Sequence, residues 1–185
     1  MNTKEKILQV SEQIILDKGM HALKLADIAE EIGISQAALY KHFTNKQAIL
    51  SNLAWSWLDR LLTDVWTFTP NPENDATDVI VHDWLWLLIS SKYHAYQQSP
   101  KMFELYSTYI VGDDILLQKY LARAQYALAT AASLKNEQDA LNLLLSVIAF
   151  DDPGLNHVFS KPIHDNFESM WRLLAPGVQQ LERTI

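Results

Sequence analysis

Apolar residues recur at three- and four-residue intervals along nearly the whole chain, and no stretch of useful length alternates apolar with polar. That rhythm lays one face of a helix on a core and leaves no period-two pattern from which to build a half-buried strand, so the expected fold class is all-α. Ile7, Leu8, Ser11, Ile14 and Ile15 share one such face. Asn2, followed three residues later by Glu5, predicts a capped start to this first helix, and Gly19 predicts its stop in a left-handed conformation. Short helices are predicted over 26–32 and 36–43, the second capped by Ser35. Thr44 and Gln47 form a Thr-x-x-Gln box that opens a longer helix reaching Trp66. Further helices are predicted over 76–98, 101–111, 114–133, 137–150 and 161–175. The breaker-rich runs Thr69-Pro-Asn-Pro-Glu-Asn-Asp75 and Asp151-Asp-Pro-Gly154 read as loops.

Composition closes off several function classes. The chain has no cysteine, which removes disulfides, thiolate catalysis and cysteine-based zinc sites, and suits a reducing cytoplasm. Its five glycines are too dispersed for a phosphate-cradling loop. The most apolar stretch, Val79 to Ile89, is interrupted by His82 and Asp83 and is about half the length of a membrane span. Met1 to Lys6 is polar, with no signal-like core. A soluble, cytoplasmic protein without membrane partner, cofactor or metal is therefore expected.

The net charge is −7, which at first argues against nucleic acid. Its distribution argues otherwise. Residues 1–50 balance six lysines with six acids, whereas residues 51–185 set sixteen acids against nine basic residues. A neutral head on an acidic body lets the head approach phosphate while the body is repelled.

Two short helices joined by Gly33-Ile34-Ser35 make a helix-turn-helix pattern. With Leu39 and Phe43 turned inward, the outward set is Gln36, Ala37, Tyr40, Lys41 and His42. Gln36 has the two hydrogen-bonding groups that match adenine, and Ala37 can touch a thymine methyl. Lys41 suits guanine or phosphate, and Tyr40 is long enough to hydrogen-bond a phosphate.

The run from Leu25 to Leu50 resembles the N-terminal DNA-binding region of the bacterial TetR family. The shared elements are Asp27-Ile-Ala, Gly33-x-Ser35, Leu39-Tyr-x-His-Phe43 and Lys46, in the family's order. The resemblance implies base readers at Gln36, Ala37, Ala38 and Lys41, and phosphate contacts at Tyr40, His42 and Lys46. It departs from the usual pattern where Leu23 and Lys24 stand in place of Thr or Ser, leaving Lys24 to contact phosphate by its charge. It departs again at Ala37 and Ala38, where Gly and Thr are common. Operator preference is therefore not carried over.

The resemblance further implies two domains, a helix-turn-helix DNA-binding domain over 1–50 and a ligand-binding and dimerisation domain over 51–185. In the second, all six tryptophans and every tyrosine except Tyr40 are found. Trp55/Trp57 and Trp84/Trp86 are two residues apart, so the members of a pair cannot share a helix face. His82, Trp86, Tyr93, Phe103, Tyr106 and Tyr120 are the candidate walls of a small-molecule pocket, apolar with a few polar tips. Leu141, Leu145, Ile148, Phe167, Met170, Trp171 and Leu174 form stripes suited to a four-helix pairing bundle. The implied function is a repressor that grips a palindromic double-stranded operator as a homodimer. It releases the operator on binding an apolar or aromatic effector, through a shift of the fourth helix.

A competing reading is an all-α metal-dependent hydrolase using the pairs His82-Asp83 and His164-Asp165 with His94 and His157. Neighbouring residues on a helix diverge by about 100°, so each pair would need further partners, and no ordered motif supplies them. A DNA-binding regulator without any small-molecule ligand is the third possibility.

Overall fold

The computed structural model describes residues 2–71, 76–151, 155, 158–159 and 162–181. Residues 72–75 and 152–154 of the two loop runs, and His157, lie outside the described residues. The fold is all-α, and no β-strand occurs among the described residues. The helices are α1 (Thr3–Lys18), α2 (Leu25–Glu31), α3 (Gln36–Tyr40), α4 (Lys46–Leu61), α5 (Thr63–Trp66), α6 (Thr77–Gln98), α7 (Pro100–Tyr106), α8 (Asp114–Ala131), α9 (Glu137–Ser146), α10 (Ile148–Asp151) and α11 (Ile163–Val178).

Local chemistry explains most of the boundaries. Asn2 accepts from the Glu5 backbone N–H while the Glu5 carboxylate accepts from the Asn2 N–H, the reciprocal box read from the sequence. Gly19 ends α1 with φ 82° and ψ 162°, so the stop uses a positive φ but an extended ψ, not the left-handed helical conformation expected. That region is open at low cost only to glycine. The predicted continuous helix to Trp66 divides at Leu62 (φ −99°, ψ 19°) into α4 and α5, although no glycine or proline marks the break. Pro100 sits at the first position of α7, where its missing N–H would have had no partner. A π-helical turn, Ser107–Val111, follows α7 and ends at Gly112. A Cβ at Gly112 would lie 2.5 Å from the Thr108 carbonyl oxygen, so the turn closes only over glycine.

The chain gathers into two compact units, Met1–Arg60 with Ala95–Leu117, and Leu61–His94 with Gln118–Ile185. The expected 1–50 head falls wholly in the first, whereas 51–185 is divided between them. In the first unit Ile7, Ile15, Leu39, Ile49, Leu53 and Leu105 are fully buried. At about 1.5–3 kcal/mol for each large aliphatic side chain, these few residues account for much of what holds the short helices in place. The core of the second unit centres on Leu62, Trp84, Leu85, Leu128 and Phe167, all at or near zero exposure. Trp57 and Trp84 are buried while Trp55 and Trp86 keep partial exposure, as the two-residue spacing requires. No helix among the described residues is long and apolar enough to cross a membrane.

Candidate nucleic-acid interface

The turn between α2 and α3 is built by Gly33. Its φ of 71° lets its N–H reach the Glu30 carbonyl and the Ile34 N–H reach the Ala29 carbonyl, closing α2 in a Schellman arrangement. Ser35 then caps α3, its hydroxyl accepting from the Ala38 N–H at 3.1 Å. The helix is only Gln36–Tyr40, with Lys41 and His42 in a following turn, shorter than the 36–43 predicted. A five-residue helix has no stability of its own and is held by tertiary packing. Leu39 and Phe43 supply that packing, at 0% and 3% exposure.

With the inner face fixed by those two side chains, Gln36, Ala37, Tyr40, Lys41 and His42 are exposed and Ala38 is half-buried. Tyr40 is 49% exposed, unusually open for so large a ring, and its hydroxyl is available to an external acceptor or donor. Lys24 occupies the position before α2 and is exposed, and its side chain makes no capping bond there. Lys46 is the first residue of α4 and half-buried. Asn45, not Thr44, caps that helix: the Ala48 N–H donates to Asn45 Oδ1 at 2.7 Å. An amide oxygen one residue later takes the role read for the Thr44 hydroxyl, so Lys46 lies in the first helical turn beside backbone donors that favour an anion.

Three ties brace this surface. Arg60 on α4 grips Glu12 on α1 with both carboxylate oxygens within 2.7 Å of one guanidinium nitrogen. Lys101 on α7 donates to the carbonyls of Leu16 and Asp17 at 2.8 Å each, placing a cation on the unsatisfied C-terminal end of α1. Lys4 lies over the Phe43 ring at 5.2 Å. None of the three was read from the sequence, because each joins residues whose proximity only the folded chain creates.

The aromatic candidates of residues 51–185 fall into separate clusters. In the first unit Phe103 and Tyr106 are buried and pack with Trp57, with ring centroids 6.4 Å from it in both cases. In the second, Trp86 rests on His164 and Phe167 at 4.7 and 5.4 Å, and His82 lies against Phe167 and Trp171 at 5.3 and 5.4 Å. Tyr120 is buried beside Trp66, with the buried Lys92 ammonium 4.5 Å over its ring. Tyr93 is half-buried next to His94. Of the pairing candidates, Leu145 and Ile148 are exposed, Leu141, Met170 and Leu174 are half-buried, and Phe167 and Trp171 are packed inside the unit. Among the described residues, no group of three or more His, Asp or Glu side chains is arranged so that it could hold a metal ion.

Comparison with known proteins agrees with the helix-turn-helix. The family model "Bacterial regulatory proteins, tetR family" matches residues 7–53. The tetracycline repressor protein class C of Escherichia coli is 38% identical over 55 residues, 30% of this chain. That segment spans 25% of the repressor's own length. Among solved structures, a TetR transcriptional regulator from Rhodococcus sp. RHA1 superposes with a TM-score of 0.62 at 16% identity, over 92% of this chain and 93% of that one. BioQ of Mycobacterium smegmatis gives a TM-score of 0.57 at 20% identity over 96% and 98%, and a structure of BioQ with its double-stranded DNA operator gives 0.54 at 19% over 97% and 99%. At such identities the likeness is one of fold, all-α with the helix-turn-helix at the N-terminus. The sequence match thus places this chain's likeness to the TetR family of bacterial regulatory proteins in residues 7–53.

Proposed function

We propose that the chain is a transcriptional regulator, not an enzyme, that binds a palindromic DNA operator as a homodimer and is released by a small molecule. The observation that carries this reading is the surface of α3. Its exposed residues Gln36, Ala37 and Tyr40, with Lys41 in the turn that follows, are of the types that meet base edges and phosphates, and they stand on a fully buried Leu39. Gln36, Ala37, Ala38 and Lys41 read bases in this account. Tyr40, His42, Lys46 and Lys24 hold phosphates and set the register.

Dimerisation is supported by an apolar surface in the second unit. Leu173 on α11 is 81% exposed, and Leu145 and Ile148 are 45% and 57% exposed. Large aliphatic side chains at that exposure, on α11, α9 and α10, suit a second copy, with Met170, Leu174 and Leu141 also partly open and Phe167 and Trp171 packed within the unit. Two heads held by such a bundle read half-sites about one DNA turn apart, ~34–36 Å. A small molecule that prefers the DNA-incompetent state weakens DNA binding by the same factor by which DNA weakens its own.

The reading is tested by selecting duplexes from a random pool with the purified protein. Convergence on an inverted repeat with half-sites about ten base pairs apart is the outcome expected. Recovery of unrelated sequences, or of a single asymmetric site, contradicts it.

A further inference from the structure

Lys4 lies in the first turn of α1, outside the helix-turn-helix, and its ammonium sits 5.2 Å over the ring of Phe43. Phe43 is buried at 3% exposure, while Lys4 is exposed. An ammonium is attracted to the face of an aromatic ring, so the contact restrains a side chain that otherwise has many rotamers. His42 precedes Phe43 in the chain, and Lys46 follows it by three residues at the start of α4. The fold thus brings Lys4, 39 positions away, onto the ring that stands between these two phosphate candidates in the chain.

Two contacts fix which end of the head this is. Glu12, further along α1, is gripped by Arg60 in the last turn of α4. Phe43, under Lys4, comes just before the first turn of α4. α1 and α4 therefore run in the same general direction, with the first turn of α1 at the end where α4 begins and Lys46 stands. The charge of Lys4 is also uncommitted. Among the described residues it has no ion pair, whereas the neighbouring Glu5 carboxylate accepts from the Asn2 N–H and Nδ2 at 2.8 and 3.0 Å. Adjacent helical residues diverge by about 100°, so Glu5 and Lys4 leave α1 on different sides.

We infer that Lys4 contacts a DNA backbone phosphate, so that the interface extends from α3 and the start of α4 onto the first turn of α1. The inference rests on the DNA-binding reading above and adds to it a residue outside the helix-turn-helix. Phe43 positions the ammonium before DNA arrives, so less freedom is lost when the phosphate is met. A phosphate contact carries no sequence information, so Lys4 strengthens binding to any duplex, through counterion release.

The test measures binding of the full-length protein to a fluorescent DNA duplex of arbitrary sequence by anisotropy, over a range of salt concentrations, so no operator need be known. Lys4→Met keeps an apolar stem over Phe43 and removes the charge. Its log–log salt slope should be shallower by about one, and its affinity at about 0.1 M salt about five- to tenfold lower. Lys4→Arg, which keeps the charge and the ring contact, should restore both. Lys18→Met is the control for net charge and should leave the slope unchanged. Lys18 is exposed in the last turn of α1, about 21 Å along the helix from Lys4 and beyond a Debye length of about 10 Å. A purely structural Lys4 gives the opposite pattern, a lower melting temperature in Lys4→Met with the slope intact. Melting curves establish that each variant is folded, and Lys4→Gln decides in place of Lys4→Met should the latter not be. An unchanged slope in the folded variant, or an equal change in Lys18→Met, overturns the inference and leaves the DNA-binding reading standing. No binding by the unsubstituted protein even at low salt overturns both.

Discussion

His82 on α6 and Glu168 on α11 are joined by a 2.9 Å hydrogen bond from the imidazole Nε2, while the His82 Nδ1 meets its neighbour Asp83 at 2.8 Å. Both ring nitrogens face carboxylates, an arrangement that favours the imidazolium. Glu168 is shared, since His164 Nε2 lies 3.5 Å from the same oxygen and its Nδ1 lies 3.8 Å from Asp165. Burial draws His82 toward the neutral form, but the hydrogen bonds and charges of Asp83 and Glu168 outweigh it and hold its pKa above 6.5. A pKa raised on folding contributes stability that is fully present below the unfolded value and is lost as pH rises through the folded one. The melting temperature should therefore fall as pH is raised from mildly acidic through neutral, and the fall should be smaller in His82→Gln. An identical pH dependence in the variant removes the clasp from the account.

The cap on α3 links stability to recognition. Ser35→Ala removes the only side-chain acceptor at the start of that helix among the described residues and should cost about 1 kcal/mol in urea unfolding. Ser35→Gly should cost only a few tenths. Both variants should bind DNA more weakly in the order of their stability loss, measured at one salt concentration.

Two glycines should fail for different reasons when replaced by alanine. Gly33 has open space around it but a φ of 71°, so Gly33→Ala pays for backbone strain alone, about 1–2 kcal/mol. Gly112 has an ordinary φ of −80° but no room, so Gly112→Ala must displace the Thr108 carbonyl and open the π-helical turn, at about 1–3 kcal/mol. Gly33→Asn should recover part of the loss because asparagine tolerates a left-handed backbone, and Gly112→Asn should recover none. Chemical unfolding of the four variants distinguishes the two mechanisms.

The proposed pairing surface makes a separable prediction. Leu173→Glu places a charge on a side chain that is 81% exposed in the single chain, so the fold should lose little. Sedimentation should nonetheless move from dimer to monomer. A monomeric unsubstituted protein, or a dimer unaffected by Leu173→Glu combined with Leu145→Glu, places the interface elsewhere.

What could be read without the fold follows from how local each signal is. The exposed set on α3 was legible because Leu39 and Phe43, four residues apart, fix which face is buried, and both are. The cap on α4 was misplaced by one residue because Thr44 and Asn45 are both good caps, and only backbone geometry selects between them. The break at Leu62 carries no glycine or proline and was invisible. The contact between Trp66 and Arg123 escaped notice for a related reason. Trp66 and Arg123 are 57 positions apart, and nothing in either segment announces that a guanidinium will lie on that ring. Aromatic richness, by contrast, was easy to see, and Phe103, Tyr106 and Tyr120 are all buried.

The most direct measurement is a mobility shift of the DNA flanking the chain's own gene, at stated salt, with the unsubstituted protein and with Tyr40→Ala/Lys46→Ala. Both side chains lie outside the fully buried core, so the double variant should stay folded while losing two phosphate contacts. The account predicts specific retardation by the unsubstituted protein, lost or greatly weakened in the variant. The salt dependence of any remaining binding should be shallower by about one unit of log–log slope per lost contact. Undiminished binding by the double variant, or no retardation of this or any selected DNA even at low salt, would contradict it.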